Sequence, residues 1–228
     1  KKTPSNFLFT AKLPEIVTHK HKLAIDDAWT PLMNFLEAME PMTQAKKLLA
    51  FLIQLPPSFR KDRHFTNLKE FIANWPEDLA HTDYHLVVEF RHTSWMVEEV
   101  FDYLKEQQLT YCSVIEPDLP PRLDITNPNF SYIRFHGYGE KIWFDYEFKE
   151  EEIKEWARKI QEIQKDANRI GIYFNNHFSG YAAKNALMMM KELGGAPRKE
   201  PKAVQLLDIQ KQSGKVSKGQ MSLDKFIK

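Results

Sequence analysis

Six short, nearly uninterrupted apolar runs recur along the chain, separated by amphipathic stretches. They are NFLFTAK (6–12), LLAFLIQL (48–55), HLVVEFR (85–91), TYCSVIE (110–116), SYIRFHG (131–137) and RIGIYFN (169–175). Apolar almost throughout, they predict strands covered on both faces, as in a parallel sheet. Apolar residues at helical spacing predict helices over about 30–40, 64–75, 94–107, 148–166 and 181–193. EEEIKEWARKIQEIQK (150–165) is the clearest, with Ile153, Trp156, Ile160 and Ile163 at three- and four-residue steps. Repeated strand–helix units predict an α/β protein with a parallel sheet, either doubly wound or closed as a barrel.

The predicted strands end in chemically capable residues: Lys12, Gln54, Glu89–Arg91–His92, Glu116, Arg134–His136 and Asn175–Asn176. The carboxyl ends of parallel strands are where α/β folds place ligands. A doubly wound sheet concentrates its site at one switch point. Polar residues at all six ends therefore favour a (β/α) barrel, although six units are visible where a full barrel has eight.

Composition sharpens this picture at two places. A hydrophobic fraction of 43% with 13% aromatics excludes global disorder, and the net charge of +1 gives no overall field toward polyanions. The charge is uneven, however: residues 194–228 hold eight Lys/Arg against three acids, which leaves the rest of the chain at −4. That segment opens with Gly194-Gly195 and runs on rich in Pro, Lys and Gln, so a flexible basic tail is expected after a domain spanning 1–193. The single cysteine, Cys112, lies in an apolar run and reads as a buried core thiol in a reducing compartment. No apolar run approaches a membrane span, and KKTPSNFLFT lacks a signal-peptide core. The expected location is cytoplasmic, or nuclear in a eukaryote.

Four stretches carry a resemblance: FLIQLPPSF (51–59), VVEFRHTSW (87–95), YIRFHG (132–137) and YFNNHFSGYAAKNA (173–186), supported by KLP (12–14) and THK (18–20). In this order they resemble the YecE-like family, the domain of unknown function 72, over about residues 7–193. The resemblance implies a TIM-barrel-like fold, similar in outline to endonuclease IV-type repair enzymes. Members of that family begin with two further units, a first strand with Gly and Trp and a second with a Glu-Ile-Asn-Ser-like motif. Neither is seen in this sequence, so the resemblance implies a fragment or a lost N-terminal portion, which accounts for the count of six.

Alternation puts Glu89 and Arg91 on one strand face, with His92 at the lip. A carboxylate beside a guanidinium is held ionised and can orient a base, a metal or a substrate hydroxyl; it also suits a purely structural ion pair. Arg134 and His136 repeat the arrangement, and Gly137 permits close backbone approach. Glu89, His92 and His136 are the candidate catalytic groups. Lys12, His19, Gln54, Arg91, Glu116, Arg134, Asn175, Asn176 and Asn185 are candidate substrate contacts. Two arginines with His, Glu and Asn favour an anionic, phosphate-bearing substrate. His21, His64, His81 and His85 read as surface or packing residues. No HExxH or CxxC spacing occurs, so no metal ligands are assigned; a divalent cation remains an open cofactor, disfavoured by the nearby arginines.

The chain closes on QMSLDKFIK (220–228). Residues 220–227 resemble the PCNA-interacting peptide by which replication and repair proteins bind the sliding clamp. Gln220 would fill the polar pocket, and Leu223, Phe226 and Ile227 share one side of a helical turn as an apolar plug. The resemblance implies an archaeal-type or eukaryotic clamp as partner, with DNA as a further one. The expected function is a clamp-associated barrel acting on a phosphate-bearing substrate, in its sharpest form a nuclease. The alternatives are a non-catalytic clamp-binding scaffold and a small-molecule phosphate enzyme whose tail docks on itself.

Overall fold

The computed structural model describes residues 3–76, 84–140 and 142–195. Each of the six apolar runs forms a strand: β1 (Phe9–Lys12), β2 (Leu48–Gln54), β3 (His85–Glu89), β4 (Thr110–Ile115), β5 (Ser131–Phe135) and β6 (Ile170–Phe174). Among the described residues five α-helices lie with them: α1 (Ile25–Gln44), α2 (Lys61–Ala73), α3 (Glu98–Glu106), α4 (Glu150–Ile163) and α5 (Tyr181–Glu192). The strands form one sheet in chain order, β1-β2-β3-β4-β5-β6, with β1/β2, β2/β3 and β3/β4 parallel. Parallel neighbours in sequence order, with helices in the connections, make this an α/β, TIM-barrel-like fold.

Two compact units are present. The first comprises Lys1–Ser113, Asp118–Tyr132 and Asp166–Gly171. The second comprises Val114–Pro117, Ile133–Lys165 and the described residues from Ile172 onward.

In the first unit the sheet has two buried faces with different tasks. The pairing Thr10↔Ala50, Lys12↔Leu52, Leu52↔Val87 and Gln54↔Glu89 puts these residues on one face. The other face carries Phe51, Ile53, Val88 and Tyr111. These pack against Leu32 and Leu36 of α1, Leu68 and Phe71 of α2, and Val100, Phe101 and Leu104 of α3 in one apolar core. On the inner face the Thr10 Oγ1 of β1 lies 3.3 Å from the Tyr132 Oη of β5. Three strands separate them in the sheet, so the sheet curls until its first and fifth strands touch across the interior. On this face Lys12, Gln54 and Glu89 stand at the C-terminal ends of their strands.

Element ends depart from the sequence reading for identifiable reasons. β1 starts at Phe9 because the Phe7 N–H closes a turn onto the Pro4 carbonyl, 3.1 Å away. α1 extends past both ends of the helix expected over about 30–40 and runs through Pro31 and Pro41. Its buried stripe of Ala28, Leu32 and Leu36 holds it together across the missing N–H groups. The stretch expected as one helix over 94–107 splits into a 3-10 turn, Thr93–Trp95, and α3. Trp95 dictates the break. It is fully buried, stacks between Phe90 (4.5 Å) and Phe59 (5.4 Å), and donates its indole N–H to the Phe59 carbonyl at 2.7 Å.

Trp95→Phe keeps both ring stacks but leaves the buried Phe59 carbonyl without that donor. We expect a loss of about 1–3 kcal/mol in denaturant-induced unfolding, with the far-UV spectrum unchanged. A loss indistinguishable from zero would show that the indole N–H does not fix the turn.

Candidate functional site

At the C-terminal ends of β1–β3 the first unit gathers Lys12, His19, Gln54, Glu89, Arg91 and His92. Glu89 is 0% exposed, a charge that needs compensation where it stands. Arg91 supplies it: Nε and Nη2 both lie 2.6 Å from Glu89 Oε1, and the guanidinium side chain is 11% exposed. The second carboxylate oxygen accepts from the buried Cys112 thiol at 3.7 Å. The Glu89 carbonyl also accepts the Leu55 N–H at 3.0 Å, tying β3 to the end of β2. Glu89 therefore acts on its surroundings chiefly by fixing the direction of Arg91.

His19 enters on the connection after β1, in a π-helical turn, Ile16–Lys20. Its Nδ1 is 2.8 Å from the Thr18 hydroxyl, which is also 3.3 Å from the Pro14 carbonyl. Burial pushes the His19 pKa below the ordinary histidine value. Glu15 opposes this, Lys12 and Arg91 add to it, and Glu89 opposes it more weakly. The imidazole is thus neutral at pH 7, in a field shared with two cations and the buried carboxylate. The turn ends in two consecutive left-handed residues, Lys22 (φ 47°) and Leu23 (φ 59°), neither of them glycine. Their strain is offset by complete burial of Leu23, by its N–H bonding to Val17 O (3.1 Å), and by Asn67 donating to Lys22 O (3.0 Å). Strain and π-turns of this kind concentrate at functional sites.

His92 is committed differently. Its Nδ1 accepts the Ser94 N–H at 3.0 Å and so caps the turn that carries Trp95. The Ser94 hydroxyl in turn accepts the Lys61 N–H at the start of α2, 3.0 Å away.

In the second unit, Glu116 and His136 are buried and Arg134 is half-buried. The His136 and Gly137 N–H groups both donate to Ile115 O, at 3.0 and 3.3 Å, and His136 Nδ1 lies 3.1 Å from Asn175 Nδ2. Gly137 has φ 105°, and a Cβ there would come within 2.5 Å of the Trp143 carbonyl, so only glycine lets the following loop fold back. Asn176 and Asn185 are fully buried and bonded to each other at 2.8 Å. Asn176 also donates to Tyr146 O, while Asn185 both donates to and accepts from the Phe148 backbone. Their amides thus brace the 146–148 segment.

Four participants escaped the sequence reading. Thr18 lay unremarked inside THK. Cys112 was expected only to pack, yet it donates to Glu89. Tyr146 donates to Glu152 at 2.6 Å; burial and then this bond raise its pKa well above the usual phenol value. His177, next to the two asparagines, donates from Nδ1 to Asn175 O at 2.9 Å and stacks on Phe144 at 4.7 Å. Of the histidines set aside as packing or surface groups, His85 stacks on Phe130 (4.8 Å), His64 stacks on Phe59 (4.7 Å), and His21 lies 3.9 Å from Asp27. His81 and the tail residues Gln220, Leu223, Phe226 and Ile227 lie outside the described residues. Among the described residues no three His, Cys, Asp or Glu side chains converge as metal ligands, and no helix is long and apolar enough to cross a membrane.

With this geometry in hand, the chain can be set beside known proteins. The profile of the family described as "Protein of unknown function DUF72" matches residues 1–206. The UPF0759 protein YunF of Bacillus subtilis is 24% identical over 227 residues, covering 87% of this chain and 79% of that protein. Among solved structures, a DUF72 family protein from Thermotoga maritima superposes with a TM-score of 0.75 at 34% identity, over 85% of this chain and 76% of its own. A DUF72 family protein from Enterococcus faecalis gives a TM-score of 0.72 at 28% identity, over 85% and 81%.

Replacing Glu89 by Gln leaves the Arg91 cation without its buried counter-charge. We expect a loss of about 3–5 kcal/mol in stability, with more than half recovered in Glu89→Leu/Arg91→Met, where neither charge remains. Chemical denaturation of the two variants checks this. Equal losses in both would show that the charge pair is not what Glu89 contributes.

Proposed function

Because the chain belongs to the DUF72 family, whose description assigns no reaction, we propose from its geometry that the strand ends of β1–β3 bind a phosphate-bearing substrate. In this reading Lys12 and Arg91 hold the anion and His19 exchanges a proton with it. One observation supports it above the others: a guanidinium aimed by a buried carboxylate stands in the same field as a neutral, half-buried histidine. Arginine fixed by its own carboxylate presents planar donors without paying for their ordering again, which suits the oxygens of a phosphoryl group. A neutral imidazole beside it can take a proton from water or a hydroxyl at neutral pH.

The finer form of the proposal is a phosphodiester in nucleic acid, and it draws on the tail. Gln220, Leu223, Phe226 and Ile227 have the spacing of a sliding-clamp peptide beyond a basic segment. A clamp-bound barrel with an anion-binding mouth would meet nucleic acid as its nearest substrate. In the first unit Glu89 is given an orienting role; Glu116, Arg134, His136 and Asn175 of the second unit are proposed, by themselves, as polar groups able to contact an anion, with His136 as a candidate for acid–base work.

Titration of the full-length chain with inorganic phosphate and with a short single-stranded oligonucleotide tests the anion site. Arg91→Met should weaken binding about tenfold or more, the worth of one charge-assisted contact. Equal affinity in the variant overturns the proposal. Phosphate binding that Arg91→Met weakens, with no cleavage of abasic, flap, mismatched or single-stranded DNA by the unaltered chain under varied divalent cations, would retain the anion site and remove the nuclease form.

Calorimetry against an archaeal-type or eukaryotic clamp tests the address separately. Phe226→Ala should weaken a measurable interaction by about thirtyfold, as expected for an aromatic anchor. No heat with the unaltered chain would dismiss the clamp as partner.

A further inference from the structure

We propose that Thr18 is a positioning residue for His19: its hydroxyl holds the imidazole in the Nδ1–H tautomer and leaves the Nε2 lone pair to accept a proton. The inference rests on the reading of His19 as the group that serves the substrate, and it goes beyond that reading by naming the atom and what selects it.

Thr18 is 1% exposed, and its hydroxyl has one proton to give to two neighbours. The Pro14 carbonyl, 3.3 Å away, can only accept. A threonine hydroxyl bonding back to the carbonyl four residues earlier is an ordinary arrangement in a helical turn. With its proton so used, the oxygen offers only lone pairs to His19 Nδ1 at 2.8 Å, so that nitrogen must carry the hydrogen. The reverse assignment, hydroxyl to Nδ1, leaves two oxygens facing each other at 3.3 Å with no hydrogen between them. The nitrogen left over, Nε2, is then the acceptor.

The backbone makes this arrangement rigid. The wide π turn places Thr18 over Pro14, with His21 N–H closing onto Ile16 O at 3.0 Å. Left-handed Lys22 and Leu23 lock its exit, and fully buried Leu23 anchors it. The charged groups around the ring are Lys12 and Glu15 on the preceding segment and Glu89 and Arg91 from the end of β3; burial, with Lys12 and Arg91, outweighs the two acids and keeps the ring neutral, so that its tautomer matters. His92 supplies an internal contrast. Its Nδ1 faces a backbone N–H, so it must accept there and carry its proton on Nε2.

Nitrogen-15 spectra of the imidazoles in the full-length chain at neutral pH, with His19 assigned through His19→Gln, decide the matter. We expect a protonated Nδ1 and an acceptor-type Nε2 for His19, and the opposite pattern for His92. Thr18→Val should move His19 toward the Nε2–H form that an unheld neutral histidine prefers, whereas Thr18→Ser should restore the original pattern. Unchanged His92 signals report an intact fold, and if Thr18→Val fails to fold, the unaltered protein's own pattern still decides. A predominant Nε2–H form in the unaltered protein, or no change in Thr18→Val, overturns the inference. An Nδ1–H form in a protein whose His19 signals ignore inorganic phosphate upholds the role of Thr18 and removes the phosphate reading instead.

Discussion

A carboxylate with no exposure to water sits at the end of β3, and much of the first unit's rim is arranged around it. Leaving Glu89 unpaired there would cost several kcal/mol, more than most single contacts contribute. The compensation fixes two things at once: Arg91 is drawn down onto one oxygen, and Cys112 donates to the other. Independently of the charge, the Leu55 N–H bonds the Glu89 backbone carbonyl, so that β2 and β3 end in register. A buried pair is weak evidence of stability taken alone. Its larger effect here is directional: it orients a guanidinium at the rim of a sheet whose interior is otherwise filled.

That rim follows from the two-faced burial of the sheet. Phe51, Ile53, Val88 and Tyr111 turn toward the helices, so Thr10, Leu52, Val87 and Cys112 must occupy the inside. Thr10 and Tyr132 meet across the interior, while Lys12, Gln54 and Glu89 on the same face stand at the strand ends. The curl of the sheet and the placement of its chemistry are consequences of the same alternation.

This explains what could be read in the chain and what could not. Strands were legible because continuous apolar runs leave few other options, and the face shared by Glu89 and Arg91 follows from alternation alone. Boundaries were less legible where a local interaction overrides the pattern, as at Trp95, or where packing carries a helix through proline, as at Pro31 and Pro41. The site was legible as a set of positions, not as a set of partners. Nothing in the spacing of Asn176 and Asn185 shows that their side-chain NH2 groups donate to the Tyr146 and Phe148 carbonyls. A π turn has no periodic signature, so Thr18 and its hold on His19 were invisible until the backbone was seen. The clamp-like tail is legible only as a sequence pattern.

Burial then divides the polar residues by what each is able to do. Glu89, Asn176 and Asn185 are fully enclosed, and the bonds described above run to side chains and backbone of their own unit. Groups so enclosed orient others. His92 uses its Nδ1 to cap a turn, which also ties it to the scaffold. Lys12, His19, Arg91, Arg134 and Asn175 keep some exposure and are the side chains a solute can reach. A ligand arriving at β1–β3 would therefore meet two cations and a neutral imidazole, and not the carboxylate that set the guanidinium in place. That asymmetry favours an anion over a cation at this rim, and it does so through Glu89, the one acid there that the solute would not touch.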